Sequence, residues 1–357
     1  MIYLVKYVYK LALLSREDVV FIMSGNITLM REMNLNVLRN TLQICKRASK
    51  PHLAAVTGLS VVTINTLIKI LLENSEVFEC STAAATGGRP AAEYHFNENH
   101  RLSLTIYMRE VAGKDTAFIS VDNLFGESLE SEEKTLQNIQ IDDFDKIVVF
   151  YLQKYPQIGL LVCGLPGREI KGKLSIFDYA GLRGMAFTDH FKEKFQLPVI
   201  FENDVCAAVI GYCSTRKQVI DECVVGIYFP TNYPPGAGIF INGKIYKGRD
   251  GIAGEIKYLP IGIEWNENGP TDFSIQEVSQ RMILALTSLY NPSKVILYGE
   301  AFSKGMKKEI SSLCEQAMNQ SLLPKLIINK NFNEDFARGI RQLAVENLIK
   351  NTEPIKK

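Results

Sequence analysis

The sequence has almost no excess charge of either sign. Its 357 residues contain 40 Lys and Arg against 39 Asp and Glu, which gives a formal net charge of +1. A chain that binds nucleic acid as a polycation, in the manner of a histone or a basic tail, needs a large positive excess. The net charge argues against that class, whereas it leaves room for a basic patch confined to one segment.

The chain also lacks paired cysteines. Its seven cysteines are scattered, and no two of them form a Cys-x-x-Cys motif. Disulfide frameworks and structural zinc sites depend on such spacings. Most of these cysteines have apolar neighbours, so we expect buried free thiols in a reducing, cytoplasmic compartment. They are Cys45, Cys80, Cys163, Cys206, Cys213, Cys223 and Cys314.

No apolar run is long enough to span a bilayer. Residues 1–14 are apolar except for Lys6 and Lys10, whereas a signal peptide carries its charges ahead of one unbroken apolar core. We therefore interpret residues 1–30 as an N-terminal extension, for which Met23 and Met30 are alternative translation starts. We expect no contact with a membrane.

Length and composition predict a globular protein of two or three domains. Hydrophobic residues make up 46% and charged residues 22% of the chain, as in ordinary soluble proteins. Residues 31–50 have helical spacing, a short helix follows over 51–57, and a third helix begins at Ser60 and runs to about Glu73. Two strand-like runs, 76–80 and 93–96, flank a loop rich in Gly and Pro.

Residues 50–70 have the spacing of a helix-turn-helix. Gly58 occupies the turn, where a positive φ is needed, and the third helix would enter a major groove. There Asn65 is suited to adenine, Val61 or Val62 to a thymine methyl, and Lys69 to a phosphate. The residues that would seal its core are Leu53, Leu59, Ile64 and Leu67. The predicted DNA-binding residues are Lys50, Ser60, Val61, Val62, Asn65, Thr66, Lys69 and Arg89.

Basic residues are concentrated in this same segment. Residues 31–70 contain six basic residues and one acid, a surplus of five that the rest of the chain offsets. Such a surplus is the footprint expected of a phosphate-binding surface. Arg89 lies in the loop between the two predicted strands, from which it would reach a minor groove or a phosphate. The alternative is a set of ordinary helices with solvated lysines.

From Arg101 onward, predicted strands and helices alternate, which indicates an α/β body. The predicted strands are residues 102–108, 116–122, 158–164, 198–203, 222–229, 238–242, 257–261 and 294–298. The predicted helices are residues 142–154, 186–195, 204–215, 271–289, 303–320 and 333–350. The two halves of this body are candidates for a degenerate duplication, which the sequence does not show directly.

Short motifs of one known family recur along the chain in order. They are Asn36-Val37-Leu38, residues 54–60 (AAVTGLS), Gly87-Gly88-Arg89-Pro90, residues 163–167 (CGLPG), Glu202-Asn203-Asp204, residues 236–244 (GAGIFINGK) and residues 251–255 (GIAGE). In this order and at these spacings, residues 34–350 resemble the ROK family of repressors, open reading frames and sugar kinases, in its winged-helix repressor branch.

The resemblance implies an α/β protein in two parts. An N-terminal winged helix-turn-helix domain over residues 31–97 would precede a two-lobed actin/hexokinase-like body of the ribonuclease H-like ATPase fold. The first lobe would comprise residues 101–205 plus 333–357, and the second lobe residues 206–332. The C-terminal helix would pack back on the first lobe, and a sugar cleft would lie between the lobes.

The expected effector cleft contains five candidate residues. Asn203 and Asp204 end an apolar strand where they can bracket sugar hydroxyls, and the family's kinases use the matching Asp as the base. The resemblance further implies that Glu255 accepts from sugar hydroxyls and that backbone approaches the sugar at Gly167. Tyr258 stands near a lost sugar-binding His and is a candidate substitute. The alternatives are an N-cap without a ligand at Asp204 and a surface carboxylate at Glu255.

Kinase and zinc features of the family are missing from their expected places. Its kinases open the body with Asp-x-Gly-Gly-Thr, a tight turn that holds ATP phosphates and metal, which we align with residues 104–110. The second phosphate-binding turn is lengthened at 230–235, where Pro234 and Pro235 remove N–H donors. Residues 257–274 contain neither Cys nor His, so the family's zinc ligands are absent. We predict no catalytic residue, no metal site and no cofactor.

The sequence thus predicts a sequence-specific transcriptional regulator, a repressor of carbohydrate-utilisation genes with a sugar or sugar-phosphate effector. Its partners would be double-stranded operator DNA, the effector and further copies of the chain, as a homodimer or homotetramer. Two alternatives stay open. One is a sugar kinase with an accessory DNA-binding domain, which Asp204 and Glu255 favour, and the other is an effector-independent DNA-binding scaffold.

Overall fold

The computed structural model describes residues 27–81, 92–176, 178–216, 222–231, 233–266, 269–270, 273–303 and 305–350. The chain divides into two compact units, one ending at His100 and the other beginning at Arg101. Across the described ranges, no single helix has the length and apolar composition needed to cross a bilayer.

The described part of the first unit comprises helices packed on a small antiparallel sheet. Its elements are α1 (Ile27–Cys45), β1 (Arg47–Ser49), α2 (Lys50–Thr57), α3 (Val61–Glu73), β2 (Val77–Ser81) and β3 (Ala92–Phe96). The strand order is β1-β3-β2, with both pairs antiparallel. The three predicted helices and two predicted strands are present, but the helix predicted over 31–50 ends at Cys45 and β1, which follows it, is missing from the prediction.

Two serine caps and a glycine set the path of the chain from α2 to α3. The Ser60 hydroxyl accepts a hydrogen bond from the Thr63 N–H at 3.1 Å, and Ser49 caps α2 in the same way. Gly58 ends α2 with a φ of 73° and donates its N–H to the Ala54 carbonyl at 3.0 Å. The two helices are bent by 113°, an angle typical of helix-turn-helix pairs.

An apolar core and one buried ion pair hold the first unit together. The predicted core residues Leu53, Ile64 and Leu67 are buried, whereas Leu59 is half-buried. Arg39 of α1 donates through Nε and Nη2 to both carboxylate oxygens of Glu76, at 2.5 and 2.7 Å. Both side chains are mostly buried, so this bidentate pair joins α1 to the chain just before β2.

The second unit contains two five-stranded sheets. The first is built from β4 (Leu102–Val111), β5 (Lys114–Asp122), β6 (Ser128–Thr135), β7 (Ile158–Leu165) and β10 (Val199–Asn203), in the order β10-β7-β4-β5-β6. The second is built from β11 (Val224–Tyr228), β12 (Gly236–Ile241), β13 (Lys244–Ile245), β16 (Lys294–Tyr298) and β17 (Lys325–Asn329), in the order β13-β12-β11-β16-β17.

The two sheets share one topology. In each, the first three strands are consecutive and antiparallel. The fourth strand pairs in parallel with the first, and the fifth pairs in parallel with the fourth. Two hairpins complete the strands: β8 (Gly167–Ile170) with β9 (Lys173–Ile176), and β14 (Trp265–Asn266) with β15 (Gly269–Pro270). The structure therefore reveals a structural repeat that the sequence does not show.

Helices connect and cover these sheets. They are α4 (Ile141–Lys154), α5 (Phe187–Phe195), α6 (Asp204–Ser214), α7 (Ile275–Tyr290), α8 (Met306–Ala317) and α9 (Phe332–Lys350). Capping boxes at Gln140/Asp143 and at Ser274/Glu277 satisfy the first N–H groups of α4 and α7. All six correspond to predicted helices, although α7 begins four residues later and α8 is shorter at both ends.

Glycines allow α6 and α9 to approach backbone to backbone. A Cβ on Gly211 would lie 1.9 Å from the Asp335 carbonyl oxygen, and one on Gly339 would lie 1.8 Å from that of Ala207. α9 also lies on the first sheet, where Phe336 and Ile340 fill the space beside Gly164 of β7. The C-terminal helix thus packs back on the first sheet, as the resemblance implies.

Several sequence predictions for the second unit are wrong or incomplete. The strand predicted over 257–261 is instead a single 3₁₀ turn, Ile256–Tyr258, because the chain turns sharply at Gly254, where φ is 96°. The strands β6, β8, β9, β13, β14, β15 and β17 are missing from the prediction. β6 reads SLESEEKT and is largely exposed, so it has no apolar alternation to reveal it.

The tight turn between the first two strands of the body is also misplaced. Residues 104–110 lie inside β4, in register with β5, and the turn itself consists of Ala112 and Gly113. Both have positive φ, 50° and 76°, the pattern of a two-residue type I′ hairpin. The kinase motif should therefore be compared with residues 110–114, which read Glu-Val-Ala-Gly-Lys.

We expect Gly339→Ala to lower the free energy of unfolding by about 2 kcal/mol or more, because its methyl group would overlap the Ala207 carbonyl. Urea denaturation followed by circular dichroism measures the change. Gly305→Ala is the matched control, since its Cβ would lie 3.8 Å from the nearest atom, in Glu309. Equal losses in the two variants would contradict the close α6–α9 contact.

Candidate functional site

The exposed side of α3 carries most of the predicted DNA-contacting residues. Val61 and Val62 are 51% and 76% exposed, although both are apolar. Thr66 and Lys69 are exposed as well, and Asn65 is half-buried. The Asn65 amide makes no hydrogen bond to any described residue. This face therefore presents two methyl-bearing side chains, a free amide and an ammonium group from one helix.

The other predicted DNA contacts have different surroundings. The Ser60 hydroxyl is already bonded to Thr63 as the N-cap of α3. Lys50 is half-buried, with its ammonium 5.2 Å from the centre of the Tyr94 ring. Arg89 and the Gly-Gly-Arg-Pro loop lie outside the described residues.

The positive surplus of residues 31–70 is smaller at the surface than the sequence suggests. Arg39 is paired with Glu76 and only 13% exposed, so it is not available to a phosphate. Five further acids follow within the first unit, namely Glu73, Glu76, Glu79, Glu93 and Glu98. Any phosphate-binding surface here rests on the remaining exposed cations rather than on the charge of the whole unit.

In the second unit, the Asn203 side chain organises the junction of β10 and α6. Its Oδ1 accepts from the N–H groups of Val205 and Cys206, at 3.1 and 3.2 Å, and so caps α6. Its Nδ2 donates to the Gly167 carbonyl at 3.1 Å and to Asp204 Oδ1 at 2.8 Å. Asn203 therefore uses its whole hydrogen-bonding capacity within the chain.

Asp204 is the first residue of α6 and keeps one oxygen free. Its Oδ1 accepts from Asn203 and from the Val205 N–H at 2.8 Å, whereas Oδ2 accepts no hydrogen bond from the described residues. Burial raises the pKa of Asp204 to about 7, and the nearby Asp178 carboxylate raises it further. The Val205 N–H, Arg168 and Asn203 act in the opposite direction and lower this pKa. The Asp204 carboxyl group therefore retains a proton up to about neutral pH.

Further carboxylates surround this side of the cleft. Burial raises the pKa of Asp178 to about 6, while Asp115 and Glu110 raise it further and the Tyr233 hydroxyl, which donates to Asp178, lowers it. Glu110 and Asp115 lie directly opposite each other in the β4–β5 pair. The Asp204 side of the cleft is thus acidic.

Glu255 is held by two cations of the chain. Arg168 Nε donates to its Oε1 at 2.6 Å, and Lys257 Nζ lies 2.9 Å from its Oε2. Arg168 follows Gly167 on β8, is 6% exposed at its side chain, and also donates through Nη2 to the Ala237 carbonyl at 2.7 Å. The sequence did not identify Arg168 as a site residue, although Arg168 directly follows the predicted Gly167. No sequence signal indicates its pairing with Glu255, which lies 87 residues away.

The remaining predicted effector residues differ in their setting. A Cβ on Gly167 would lie 2.9 Å from Ser175 O and from Ile176 Cβ, so the β8–β9 hairpin itself requires glycine there. Its carbonyl is brought to the junction by Asn203. Tyr258 is 70% exposed beside Lys257, and its backbone N–H donates to the Glu255 carbonyl at 3.2 Å.

A cavity of about 460 Å³ adjoins this cluster. It lies between the β8–β9 hairpin and the end of β10 on one side and the loop over residues 247–251 on the other. Of the five predicted effector residues, only Asn203 lines it. This cavity therefore lies on the Arg168 side of the junction.

Residues 112–270 match the sequence profile of the family described as "ROK family". We call the second unit, which contains this match, the ROK domain. This stretch includes both the Asn203–Asp204 junction and the Glu255–Arg168 pair, so the candidate cleft belongs to that domain.

Relatives of the ROK domain include sugar-responsive repressors by name. The xylose repressor of Bacillus subtilis (strain 168) is 25% identical over 250 residues, which cover 68% of this chain and 63% of that protein. The DNA-binding transcriptional dual regulator NagC of Escherichia coli (strain K12) is 20% identical over 249 residues, 66% of this chain and 59% of that protein. The matched part thus spans less than two thirds of these curated relatives.

Solved structures share the fold. A ROK family transcriptional regulator, titled a homologue of the E. coli MLC protein, aligns over 90% of this chain and 98% of its own with a TM-score of 0.62 and 18% identity. The ROK hexokinase of Thermus thermophilus aligns over 70% of this chain and 99% of its own, with a TM-score of 0.54 and 15% identity. The ROK domain therefore has the actin/hexokinase-like fold.

We expect the free energy of unfolding to change with pH as Asp204 titrates. Because its pKa is raised on folding, its proton stabilises the folded state at low pH, and this contribution is lost as the pH rises toward 7. Asp204→Asn keeps the Oδ1 acceptor and removes the buried charge. The stability of the variant relative to the native chain should therefore rise by about 2 kcal/mol or more between pH 4.5 and pH 8.

Urea denaturation at the two pH values measures the difference. Asp142→Asn, at an exposed position in the first turn of α4, is the control and should show no comparable change with pH. A native chain as stable as Asp204→Asn at pH 8 would contradict a buried, proton-retaining carboxyl group at this position.

Proposed function

We propose that this protein is a sequence-specific transcriptional regulator, a repressor of carbohydrate-utilisation genes, with a winged helix-turn-helix domain ahead of the ROK domain. The observation that carries the proposal is the exposed face of α3, where Val61, Val62 and Asn65 stand after a 113° bend. Exposed valines at the start of a helix are costly in water unless a partner covers them. The thymine methyl groups of a major groove are such a partner.

The relatives support the same function. The xylose repressor and NagC are named as a repressor and a DNA-binding regulator, respectively. The α3 surface takes the part of the recognition helix, with Lys69 and Lys50 on phosphates and Ser60 and Thr66 beside the bases. The β2–β3 hairpin is the wing, with Arg89 in its loop.

The ROK domain, in this proposal, binds a sugar or sugar-phosphate effector between two lobes. The first lobe comprises residues 101–205 plus 333–357, and the second comprises residues 206–332. Asp204 Oδ2 is the free acceptor for a sugar hydroxyl, and Asn203, Gly167 and Glu255 build the wall around it, with Tyr258 at the rim. Effector binding that favours one arrangement of the lobes biases operator binding. A homodimer or homotetramer then reads a two-fold operator.

Phosphoryl transfer is disfavoured by the charges around the first turn of the body. Family kinases hold ATP phosphates there, whereas here Glu110 and Asp115 face each other directly beside Ala112 and Gly113. Two carboxylates repel a polyphosphate unless a metal ion intervenes. In the second phosphate-binding turn, Pro234 and Pro235 remove two N–H donors. We therefore assign the ROK domain a binding role and no catalytic residue.

Operator binding should depend on α3. After selection of an operator from random DNA, Asn65→Ala should weaken binding by about tenfold and relax specificity at one base, because it removes a bidentate contact. Lys69→Gln should weaken binding to all sequences and lower the salt slope by about one. Fluorescence anisotropy at stated salt measures both.

Lys307→Gln, an exposed lysine on α8 of the ROK domain, is the matched control and should leave operator affinity unchanged. Failure of random-sequence selection to enrich any palindrome or repeat would exclude sequence-specific binding. Equal effects of Lys69→Gln and Lys307→Gln would show that α3 does not face the DNA.

We expect no sugar phosphorylation. Incubation with radiolabelled ATP, magnesium and a panel of hexoses, pentoses and hexosamines should give no labelled sugar above the background of the Asp204→Asn variant. Turnover that Asp204→Asn abolishes would establish the kinase alternative instead. A matched assay with an active sugar kinase checks that the panel and the detection are adequate.

A further inference from the structure

The cavity beside Arg168 differs in charge from the Asp204 side of the cleft. It has a volume of about 460 Å³ and is lined from both sides by basic residues. Lys171 stands in the β8–β9 turn, Arg168 precedes it on β8, and Lys247 and Arg249 belong to the opposite loop. Three acids, Glu169, Glu202 and Asp250, also line the cavity. The ligands that it can bind therefore depend on whether their carboxylate oxygens already accept hydrogen bonds from the chain.

The lining acids are already engaged. The two Glu169 oxygens accept from the Thr188 N–H at 2.8 Å and from its hydroxyl at 2.6 Å. Glu202 accepts from the Asn203 N–H at 3.1 Å and pairs with Lys247 at 2.9 Å. Asp250 pairs with the adjacent Arg249 at 2.7 Å. Each lining acid therefore accepts at least one hydrogen bond from the chain itself, while Asp250 Oδ1 accepts none from the described residues.

Two donors, in contrast, are open. Arg168 uses Nε for Glu255 and Nη2 for Ala237, while its Nη1 has no hydrogen-bond partner among the described residues. The Arg168 side chain is only 6% exposed and lines the cavity. The ammonium group of Lys171 likewise has no described partner. A cavity with spare donors and a mostly buried cation favours an anionic ligand.

We propose that this cavity binds the anionic group, a carboxylate or a phosphate, of an acidic sugar derivative, with the Arg168 guanidinium as the buried contact and Lys171 at the mouth. The inference rests on the proposed function, in that the ROK domain binds a carbohydrate effector, and it names the chemical class of that effector. Arg168 donates from Nη1 to the anion while Glu255 fixes the guanidinium plane.

The charge distribution also orients the ligand. Asn203 lines the cavity and is bonded to Asp204, so the sugar ring extends from the cavity toward the acidic side of the cleft. Asp204 and Asp178 there repel a second anion but accept hydroxyl groups. The hydroxyl that faces Asp204 is therefore unsubstituted, and the anionic group is at the opposite end of the sugar. Positional isomers of one sugar phosphate should thus bind with different affinities.

Isothermal titration calorimetry with matched ligand sets tests this inference on the full chain. Glucose, galactose, xylose and N-acetylglucosamine are each compared with their aldonic acid, their 1-phosphate and, for the hexoses and the hexosamine, their 6-phosphate; inorganic phosphate is a further ligand. We expect at least one anionic member to bind tenfold or more tightly than its neutral parent, with an affinity that falls as salt increases. The carboxylate and phosphate members distinguish the two sources of negative charge.

Variants locate the anion. Lys171→Gln should weaken the anionic ligand by about fivefold and leave the neutral parent unchanged, and Arg168→Gln should weaken it by about thirtyfold. Lys173→Gln is the matched control, because Lys173 is exposed on the same hairpin but does not line the cavity. Lys171 is an exposed turn residue, so its variant stays informative if Arg168→Gln does not fold.

Three results would overturn the inference. Neutral sugars that bind as tightly as their anionic derivatives would refute it and leave the proposed function standing. Equal affinities of Lys171→Gln and Lys173→Gln for the anion would refute it in the same way. If no member of the panel binds, both this inference and the effector part of the proposed function fail, while operator binding, measured separately, is unaffected.

Discussion

The hydrogen bonds of the Asn203 side chain hold together the three pieces of chain from which the cleft is built. Oδ1 caps α6, and Nδ2 joins the start of β8 and the Asp204 carboxylate to the same point. Because these partners come from different elements, displacement of Asn203 would release all of them together. The contact of α6 with α9 at Gly211 and Gly339 fixes the helix that follows. The positions of Asp204 and Arg168 relative to each other depend on both.

Around that junction the charges are separated rather than mixed. On one side burial raises the pKa of Asp204 and of Asp178; the Asp178 carboxylate adds to the first shift, and the Asp115 and Glu110 carboxylates add to the second. On the other side Arg168 pairs with one carboxylate oxygen of Glu255 at 2.6 Å. A carboxylate expected to recognise sugar hydroxyls has therefore become the support of a cation. This change in role follows from one residue of β8.

Sequence patterns predicted the first unit well because its elements are specified locally. Ser49, Ser60 and Gly58 carry the caps and the turn within a few residues of the helices they bound. Long-range pairings were beyond such reasoning, which is why Arg39 was counted as a surface cation although Glu76 neutralises it. The same limit hid the partner of Arg168. β6 escaped prediction for a different reason, since it has almost no buried face to create an alternating pattern.

β6 has a further consequence for how copies of this chain can assemble. It is an edge of the first sheet and carries Glu130, Glu132 and Glu133 on a largely exposed strand. Unpaired edge strands join sheets of neighbouring molecules unless charge prevents it. Two such edges side by side would bring the glutamates of both copies close together. Their repulsion disfavours a continuous sheet across two copies at this edge.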